Sequence, residues 1–268
     1  MTAAKFPLNP ATSRQPLPVS LPTMYDLPSE DPEEPGLPDE FHRWQAQLCS
    51  LTFRPPSYAR EQVFVASDLY LYYDPQHTRW YKRPDWFAVV GVSRLYQGED
   101  MRLSYVVWQE QVSPIVAIEF LSPSTQTEDL GQRPQKGLQP TKWQVYEQVL
   151  AIPYYITFSR YTDELRLFQL QAGRYREQPL DNGRFWLSEL EIGRGLWRGN
   201  YEGLTRQWLR WYDRNGNWIP TDVEAMRQER DRERSQKEAA LDAKAAAEQR
   251  AAQLAERLQQ LGIDPNTI

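Results

Sequence analysis

SPIVAIEFLSPSTQTEDLGQRPQKGLQPTKWQVY, residues 113–146, holds one carboxylate inside an apolar run. Glu119 stands between Ile118 and Phe120, and residues 115–121 are otherwise apolar. A near-continuous apolar run is typical of a central strand that is covered on both faces. A buried carboxylate is unfavourable unless it meets a cation, a metal ion or a proton. The group that Glu119 faces is therefore the key to the fold and to its chemistry.

The residues after this strand offer several polar groups, each open to two interpretations. Ser122, Ser124 and Thr125 form a turn whose hydroxyls either contact a phosphate or cap the next helix. Asp129 either supports a site or lies on the surface. Further along, Arg133 and Lys136 either contact a nucleic-acid backbone or are solvated loop charges. Tyr146 is expected to pack against the sheet, and the alternative places its hydroxyl near the site.

Length and composition favour one large domain with appendages. The chain has 268 residues with ten Trp and fifteen Tyr, which can fill a substantial core. The net charge of -5 is uneven, because residues 1–40 carry two basic and seven acidic side chains and residues 221–268 carry eight and ten. The middle segment is therefore close to +2, which neither excludes nor supports a nucleic-acid surface.

Cysteine and histidine counts restrict the chemistry. Cys49 is the only cysteine, so a disulfide framework and a Cys-based zinc site are excluded. His42 and His77 are the only histidines, and His42 and Cys49 are interpreted as ordinary residues of the first helix. No apolar run reaches the ~18 residues of a membrane span, and no signal-peptide core is seen. We expect a soluble, cytoplasmic protein.

Periodicity predicts a mixed α/β domain between two appendages. Residues 1–40 are Pro-rich and are expected to be mostly disordered, residues 41–220 form the domain, and residues 221–268 form a charged helical tail. Helices are predicted at 41–51 and 143–150, and strands at 62–73, 80–90, 104–108, 113–121, 153–160, 164–171 and 175–178. A hairpin turn is predicted at Arg214–Asn217.

Two carboxylates in strand contexts suggest a metal site. Asp85 follows Pro84, and Glu119 lies within the apolar strand. Mg²⁺ is usually held by one or two carboxylates together with water, and it activates water for attack on a phosphoryl group. From spacing alone, an ion pair between Glu119 and a Lys or Arg is the simpler interpretation.

A resemblance changes this balance. The ordered set Pro84-Asp85, IEFLSPST at 118–125, Asp129, KWQVY at 142–146 and PYY at 153–155 resembles the Uma-two family of restriction-endonuclease-like proteins. That family is similar to the PD-(D/E)xK nuclease superfamily, and the resemblance covers residues 60–215. It implies a central mixed β-sheet flanked by helices, with a long C-terminal helix that can form a coiled coil.

The resemblance also assigns roles. It implies that Asp85, Glu119 and the backbone carbonyl of Phe120 hold Mg²⁺, or Mn²⁺ in its place. The superfamily's usual Lys position is Leu121 here, so the resemblance shifts the catalytic Lys to Lys142, with Lys136 as a rival after the insertion at 131–141. Glu40 is a weaker candidate for the first-helix acid that some superfamily nucleases use.

These roles lead to two hypotheses of different classes. The first is a Mg²⁺-dependent endonuclease that hydrolyses DNA with Asp85, Glu119 and Lys142. The second is a catalytically silent binding or scaffold protein that captures partners through its C-terminal helix, favoured by the missing Lys at position 121. Apolar 4,3 spacing in the last two heptads, at Leu254, Leu258 and Leu261, also allows a homodimer through pairing of that helix.

Overall fold

The structure, a computed structural model, describes residues 39–122, 125–132 and 139–261. The predicted disordered segment 1–40 lies outside these residues except for its last two positions, as do Ser124, Arg133 and Lys136. The α-helices are α1 (Glu40–Thr52), α2 (Val107–Glu110), α3 (Gln126–Asp129), α4 (Lys142–Gln144) and α5 (Asp222–Gln260). The strands are β1 (Val63–Ala66), β2 (Leu71–Tyr72), β3 (Tyr81–Lys82), β4 (Trp86–Val90), β5 (Tyr105–Val106), β6 (Val116–Leu121), β7 (Tyr154–Ser159), β8 (Leu165–Gln171), β9 (Arg174–Gln178), β10 (Arg184–Leu187), β11 (Ile192–Tyr201) and β12 (Leu204–Tyr212).

A six-stranded sheet forms the centre, in the order β1-β4-β6-β7-β8-β9. Its neighbours pair antiparallel except for β6 and β7, which are parallel, so the sheet is mixed. Every residue of β6 is buried, as the apolar run around Glu119 predicted for a strand in a central position. The mixed sheet and the long C-terminal helix confirm the predicted fold class.

Both faces of the central sheet are covered. Alternate residues of β6 point to opposite faces, so Ile118 and Phe120 pack with α1 and the β10–β12 sheet. Ala117 packs on the other face with Val145 and Tyr146 and with the small sheet β3-β2-β5. Glu119 shares the face of Ala117, which is the face that α4 covers.

Several predicted strands are shorter or broken. The strand predicted at 62–73 is wrong as one element, because a turn at Asp68, whose φ is +53°, sends β1 and β2 into different sheets. Pro84 lies in the gap between β3 and β4 and divides the strand predicted at 80–90, since Pro cannot donate to a ladder. The strand predicted at 104–108 becomes helical after Val106.

The β10–β12 sheet was largely missed from the sequence. Its hairpin β11–β12 pairs nine residues on each side, from Gly193 with Tyr212 to Tyr201 with Leu204. Gly193 is required at this close approach, because a Cβ added there would lie 1.9 Å from the ring of Tyr212. The predicted turn at Arg214–Asn217 is present and closes on an isolated bridge between Tyr212 and Trp218.

Helix α5 confirms the predicted C-terminal helix. Thr221 caps it with a capping box to Glu224, and Glu224 also pairs with Arg210. Its 39 residues extend about 58 Å. None of them is buried, so the helix stands free of the domain beyond its first turns. Across the described ranges, no helix is long and apolar enough to cross a membrane.

One buried carboxylate ties the turn after α4 to the sheet. Glu147 accepts hydrogen bonds from the Tyr175 N–H at 2.8 Å and from Arg174 at 2.9 Å. Burial alone raises the pKa of Glu147, but the bonds from Tyr175, Gln148 and Arg174 outweigh burial, and its pKa lies below the ordinary value. Glu147 therefore stabilises the fold above the ordinary pKa of a glutamate, and the contribution is lost as the pH falls through the lower, folded-state pKa.

We expect Glu147→Gln to lower the free energy of unfolding by about 2 kcal/mol at pH 7, because three donors lose a charged acceptor. The loss should shrink below pH ~4.5, where the unfolded wild type also takes up a proton. Urea denaturation across this pH range measures both effects. Glu177→Gln is the control, since Glu177 pairs with Arg166 at the exposed surface.

Candidate active site

Strand register brings the two predicted carboxylates together. β4 and β6 pair Trp86 with Ile118, so the next position along each strand places Asp85 opposite Glu119. Trp86 and Ile118 both pack in the core that contains α1. Because side chains alternate along a strand, Asp85 and Glu119 both point to the opposite face, under α4.

Reciprocal hydrogen bonds hold the pair in place. The backbone N–H of Asp85 donates to Glu119 Oε2 at 3.2 Å, and the backbone N–H of Phe120 donates to Asp85 Oδ2 at 2.6 Å. Glu119 is fully buried, whereas the Asp85 side chain is 22% exposed. Asp85 Oδ1 has no hydrogen-bond partner in the described ranges, so this oxygen is the part of the pair that is open to a ligand.

Lys142 supplies the cation. Its Nζ lies 3.1 Å from Glu119 Oε2 and 2.7 Å from Asp129 Oδ1. The lysine is the first residue of α4, whose N-cap Thr141 forms a capping box with Gln144. Lys142 therefore lies beside Glu119 in space although it belongs to a helix 23 residues further along the chain.

Tyr146 completes the surroundings of Glu119. Its hydroxyl donates to Glu119 Oε1 at 2.8 Å, and its ring packs in the core with Tyr155. Lys142 and Tyr146 are four residues apart, so they lie on one face of the helical segment. The backbone widens into a π-turn at Val145–Val149, a feature that often occurs at functional sites.

His42 was missed by the sequence interpretation. Its Nε2 donates to the Phe120 carbonyl at 2.9 Å and lies 4.0 Å from Asp85 Oδ2, while its Nδ1 lies 2.9 Å from Asp39 Oδ1. Burial by itself lowers the pKa of His42, but Asp39, Asp85 and the Phe120 carbonyl raise it above the ordinary value. Both ring nitrogens face acceptors, an arrangement that favours the protonated form of His42 beside the site. The residues around His42 in the sequence give no signal that would predict its contact with Phe120, which lies 78 residues away.

The site holds more acid than base. Asp85, Glu119 and Asp129 face Lys142 and His42. Burial raises the pKa of Glu119 well above its ordinary value, with Asp85 and Asp129 adding to the shift against the opposing charge of Lys142. Burial also raises the pKa of Asp85. The pKa of Lys142 is raised as well, because the three carboxylates outweigh the effect of burial. One more positive charge would relieve this excess.

The donor set suits Mg²⁺. Two carboxylates and the Phe120 carbonyl are hard oxygen ligands, and Mg²⁺ characteristically uses few protein ligands and keeps several waters. Across the described ranges, no group of three or more His, Cys, Asp and Glu side chains comes together as a metal cage. An ion held by Asp85, Glu119 and one carbonyl would therefore depend on water and substrate for its remaining ligands.

The remaining residues that the sequence suggested for the site differ in how close they lie to the carboxylate pair. Asp129 is buried and contacts Lys142, so it belongs to the site and not to the surface. Ser122 Oγ and Thr125 Oγ1 lie 3.2 Å apart in the turn after β6. Glu40 bonds to Trp44 at the exposed surface of α1 and contributes nothing to the carboxylate pair.

The Tyr146 hydroxyl gives a test of this geometry. We expect Tyr146→Phe to lower the free energy of unfolding by about 1.5–3 kcal/mol, because a buried carboxylate oxygen loses its donor. In the control Tyr175→Phe, a buried hydroxyl loses only the neutral carbonyl of Ile152, and the expected loss is about 0.5–1.5 kcal/mol. Thermal or urea denaturation ranks the two variants, and the reverse order would contradict the arrangement around Glu119.

Comparison with known proteins identifies the family. No curated protein matches the chain. The model of the Uma2 (Uma-two) family, described as "Putative restriction endonuclease", matches residues 17–205. The match spans more than half of the 268 residues and includes the carboxylate pair, Asp129, Lys142 and Tyr146. The chain belongs to the Uma2 family.

Proposed function

We propose that this protein is a Mg²⁺-dependent endonuclease that hydrolyses DNA phosphodiester bonds, with Asp85, Glu119 and Lys142 as catalytic residues. The observation that carries the proposal is the meeting of Lys142 Nζ with Glu119 Oε2, which in turn accepts from the backbone of Asp85. Family membership supports a nuclease of the restriction-endonuclease type. Mn²⁺ is a candidate for the same ligands.

The ligand set follows from the family resemblance, and Asp85 Oδ1 is its open oxygen, whereas Glu119 and the Phe120 carbonyl already accept hydrogen bonds within the fold. Asp85, Glu119 and the Phe120 carbonyl would hold the ion. A bound Mg²⁺ supplies a Lewis acid that makes water a better nucleophile and offsets charge on the phosphate. His42 orients the Phe120 carbonyl, and the Phe120 N–H orients Asp85. Residues outside the ligand set thus hold the ligands in place.

Lys142 acts as a cation in this proposal. Its pKa is raised, so it stays protonated and cannot accept a proton at neutral pH. Its ammonium group orients the attacking water and neutralises charge that develops on the phosphate. Water attacks phosphorus and gives up a proton to solvent, the bond from phosphorus to one sugar oxygen breaks, and that oxygen leaves as a hydroxyl after taking up a proton from solvent.

A plasmid assay tests this function. We expect wild type to nick or linearise supercoiled DNA in Mg²⁺, and we expect Asp85→Asn and Glu119→Gln to reduce the rate by at least about a hundredfold. Asp181→Asn and Glu177→Gln are matched controls, because both residues are exposed and carry the same chemical change. If wild type cuts no faster than the two site variants, the nuclease proposal fails.

The free helix α5 favours a second role, a binding or scaffold function in a cytoplasmic protein. In this proposal the chain consists of a domain at residues 41–220 and a helical tail at residues 221–268. Leu254 is 63% exposed in the apolar seam of the last heptads of α5, which supports pairing with a second copy or another helix.

We expect Leu254→Lys with Leu258→Lys to convert a dimer to a monomer in sedimentation analysis. A wild-type monomer would contradict the homodimer.

A further inference from the structure

A row of aromatic side chains lies on the outer face of the small sheet β3-β2-β5 and continues onto α2. Tyr70 and Tyr81 are stacked with ring centroids 4.1 Å apart, and they remain 38% and 36% exposed. Tyr72 contacts Tyr81 at 5.7 Å and Trp108 at 6.2 Å. Isolated exposed aromatics are ordinary, but here two stacked, exposed rings continue into two half-buried aromatic side chains, and such a continuous patch indicates a binding surface.

This aromatic row (Tyr70, Tyr72, Tyr81 and Trp108) adjoins the candidate active site. β3 continues through Arg83 and Pro84 directly into Asp85. Lys82 points to the side of β3 opposite to Tyr81, because neighbouring residues of a strand alternate. Burial and the charge of Lys142 lower the pKa of Lys82, so its ammonium group lies in the electrostatic range of the site. Tyr81 of the row therefore lies only four residues before Asp85 along the chain.

The charge around the row is positive. Arg79 and Arg83 flank Trp80 and Tyr81 within five residues, and Lys82 adds a third basic side chain on the opposite side of the strand. The two acids of this hairpin are neutralised, since Asp68 pairs with Arg83 and Asp74 pairs with His77. Arg79 is exposed and has no ion pair in the described part of the chain.

We propose that the aromatic row binds unpaired bases of a nucleic-acid strand and guides that strand into the active site. Aromatic rings on a sheet face stack with bases, and adjacent cations follow the backbone. Bases inside a duplex are already stacked and cannot present a face to the row. The substrate class that fits is therefore DNA with a single-stranded segment beside the cleaved bond, an assignment that rests on the proposed nuclease function.

Arg83 packs against the aromatic row and helps to fix the position of Tyr70. Its guanidinium carbon lies 5.4 Å from the ring centroid of Tyr70, and its ion pair with Asp68 fixes its position. Gln139 Nε2 donates to the Tyr81 carbonyl, so the segment before α4 also contacts β3. The row is thus held on a supported strand, and a bound base would meet a preformed surface.

Fluorescence anisotropy with the full-length protein tests the proposal. Without divalent metal, labelled oligo-dT of 20 nucleotides is compared with a 20-base-pair duplex. We expect wild type to bind oligo-dT more tightly than the duplex, and Tyr70→Ala with Tyr81→Ala to weaken oligo-dT binding about tenfold or more. Tyr70→Phe with Tyr81→Phe should restore binding, because the stacking surface remains. Trp186→Ala removes an exposed aromatic of the other sheet and should change nothing.

Several outcomes would overturn the inference. If wild type and the alanine double variant bind oligo-dT equally well, the aromatic row does not bind bases. If wild type binds neither nucleic acid, the proposal also fails, and a protein partner is left for this face. The plasmid assay separates this inference from the nuclease proposal. Cleavage with tyrosine-independent binding rejects only the row, whereas tyrosine-dependent binding without cleavage rejects only the enzyme.

Discussion

We expect Lys142→Met to lower the free energy of unfolding by about 3–5 kcal/mol at neutral pH and to remove the proposed nuclease activity together with it. The ammonium group is 15% exposed and lies within 3.1 Å of both Glu119 and Asp129, which are 0% and 1% exposed. Removing one partner of a buried ion pair leaves uncompensated charge in a region of low dielectric, and losses of about this size follow. Urea denaturation at pH 7 measures the effect.

The pH dependence has a defined sign. The folded-state pKa of Lys142 is raised, so its stabilisation is present below the ordinary pKa of a lysine and is lost as the pH rises through the folded-state value. On the acid side, Glu119 takes up a proton at a higher pH than an ordinary glutamate. The deficit of Lys142→Met should therefore shrink as the pH falls.

Lys82→Met is the matched control for this prediction. The same atoms are removed from a neighbouring lysine whose pKa is lowered by burial and by Lys142. Its charge is disfavoured in the fold, so removal should change stability by less than about 0.5 kcal/mol. Equal losses in both variants would show that the buried carboxylates do not depend on Lys142.

The carboxylate pair could be predicted because strand chemistry is local. An acid within an apolar run marks β6, and Pro-Asp marks the start of β4, so the sequence identifies both positions. Their opposition is a matter of register, which follows once the two strands pair. The helical Lys was reached through resemblance, since residues 131–141 separate it from Asp129 and no periodicity crosses that segment.

Contacts of long sequence separation could not be predicted. His42 meets the Phe120 carbonyl across 78 residues, and nothing in a helix pattern selects that partner. The β10–β12 sheet was missed for a related reason. Its strands mix Arg and Gly with aromatic residues, and Arg194 is fully buried against Trp211 with its guanidinium 2.6 Å from Cys49 Sγ. A polar sequence pattern predicts exposed residues, but tertiary packing buries polar residues of this sheet such as Arg194.

Glu119→Gln is expected to abolish cleavage and to raise stability in the absence of metal by about 1–2 kcal/mol. The pKa of Glu119 is raised, so its charged form is disfavoured in the fold, and wild-type stability falls as the pH rises through the interval above the ordinary pKa of a glutamate. The amide of Gln can satisfy the same neighbours, with its oxygen towards Lys142 and the Asp85 N–H and its nitrogen towards the Tyr146 hydroxyl. Lys142 keeps Asp129 as a partner.

The same variant separates a metal site from a purely structural ion pair. If Glu119 served only to neutralise Lys142, Glu119→Gln would destabilise the fold, and Mg²⁺ would leave the wild-type melting temperature unchanged. If Asp85 and Glu119 bind Mg²⁺, an ion concentration of about one hundred times Kd stabilises wild type by about 2.7 kcal/mol. Glu119→Gln should lose most of that increment, while Glu177→Gln keeps it. Calorimetric melting with and without Mg²⁺ therefore tests metal binding even if the DNA substrate is never found. A cation-binding site requires an excess of buried negative charge, and that excess destabilises the fold when the metal is absent.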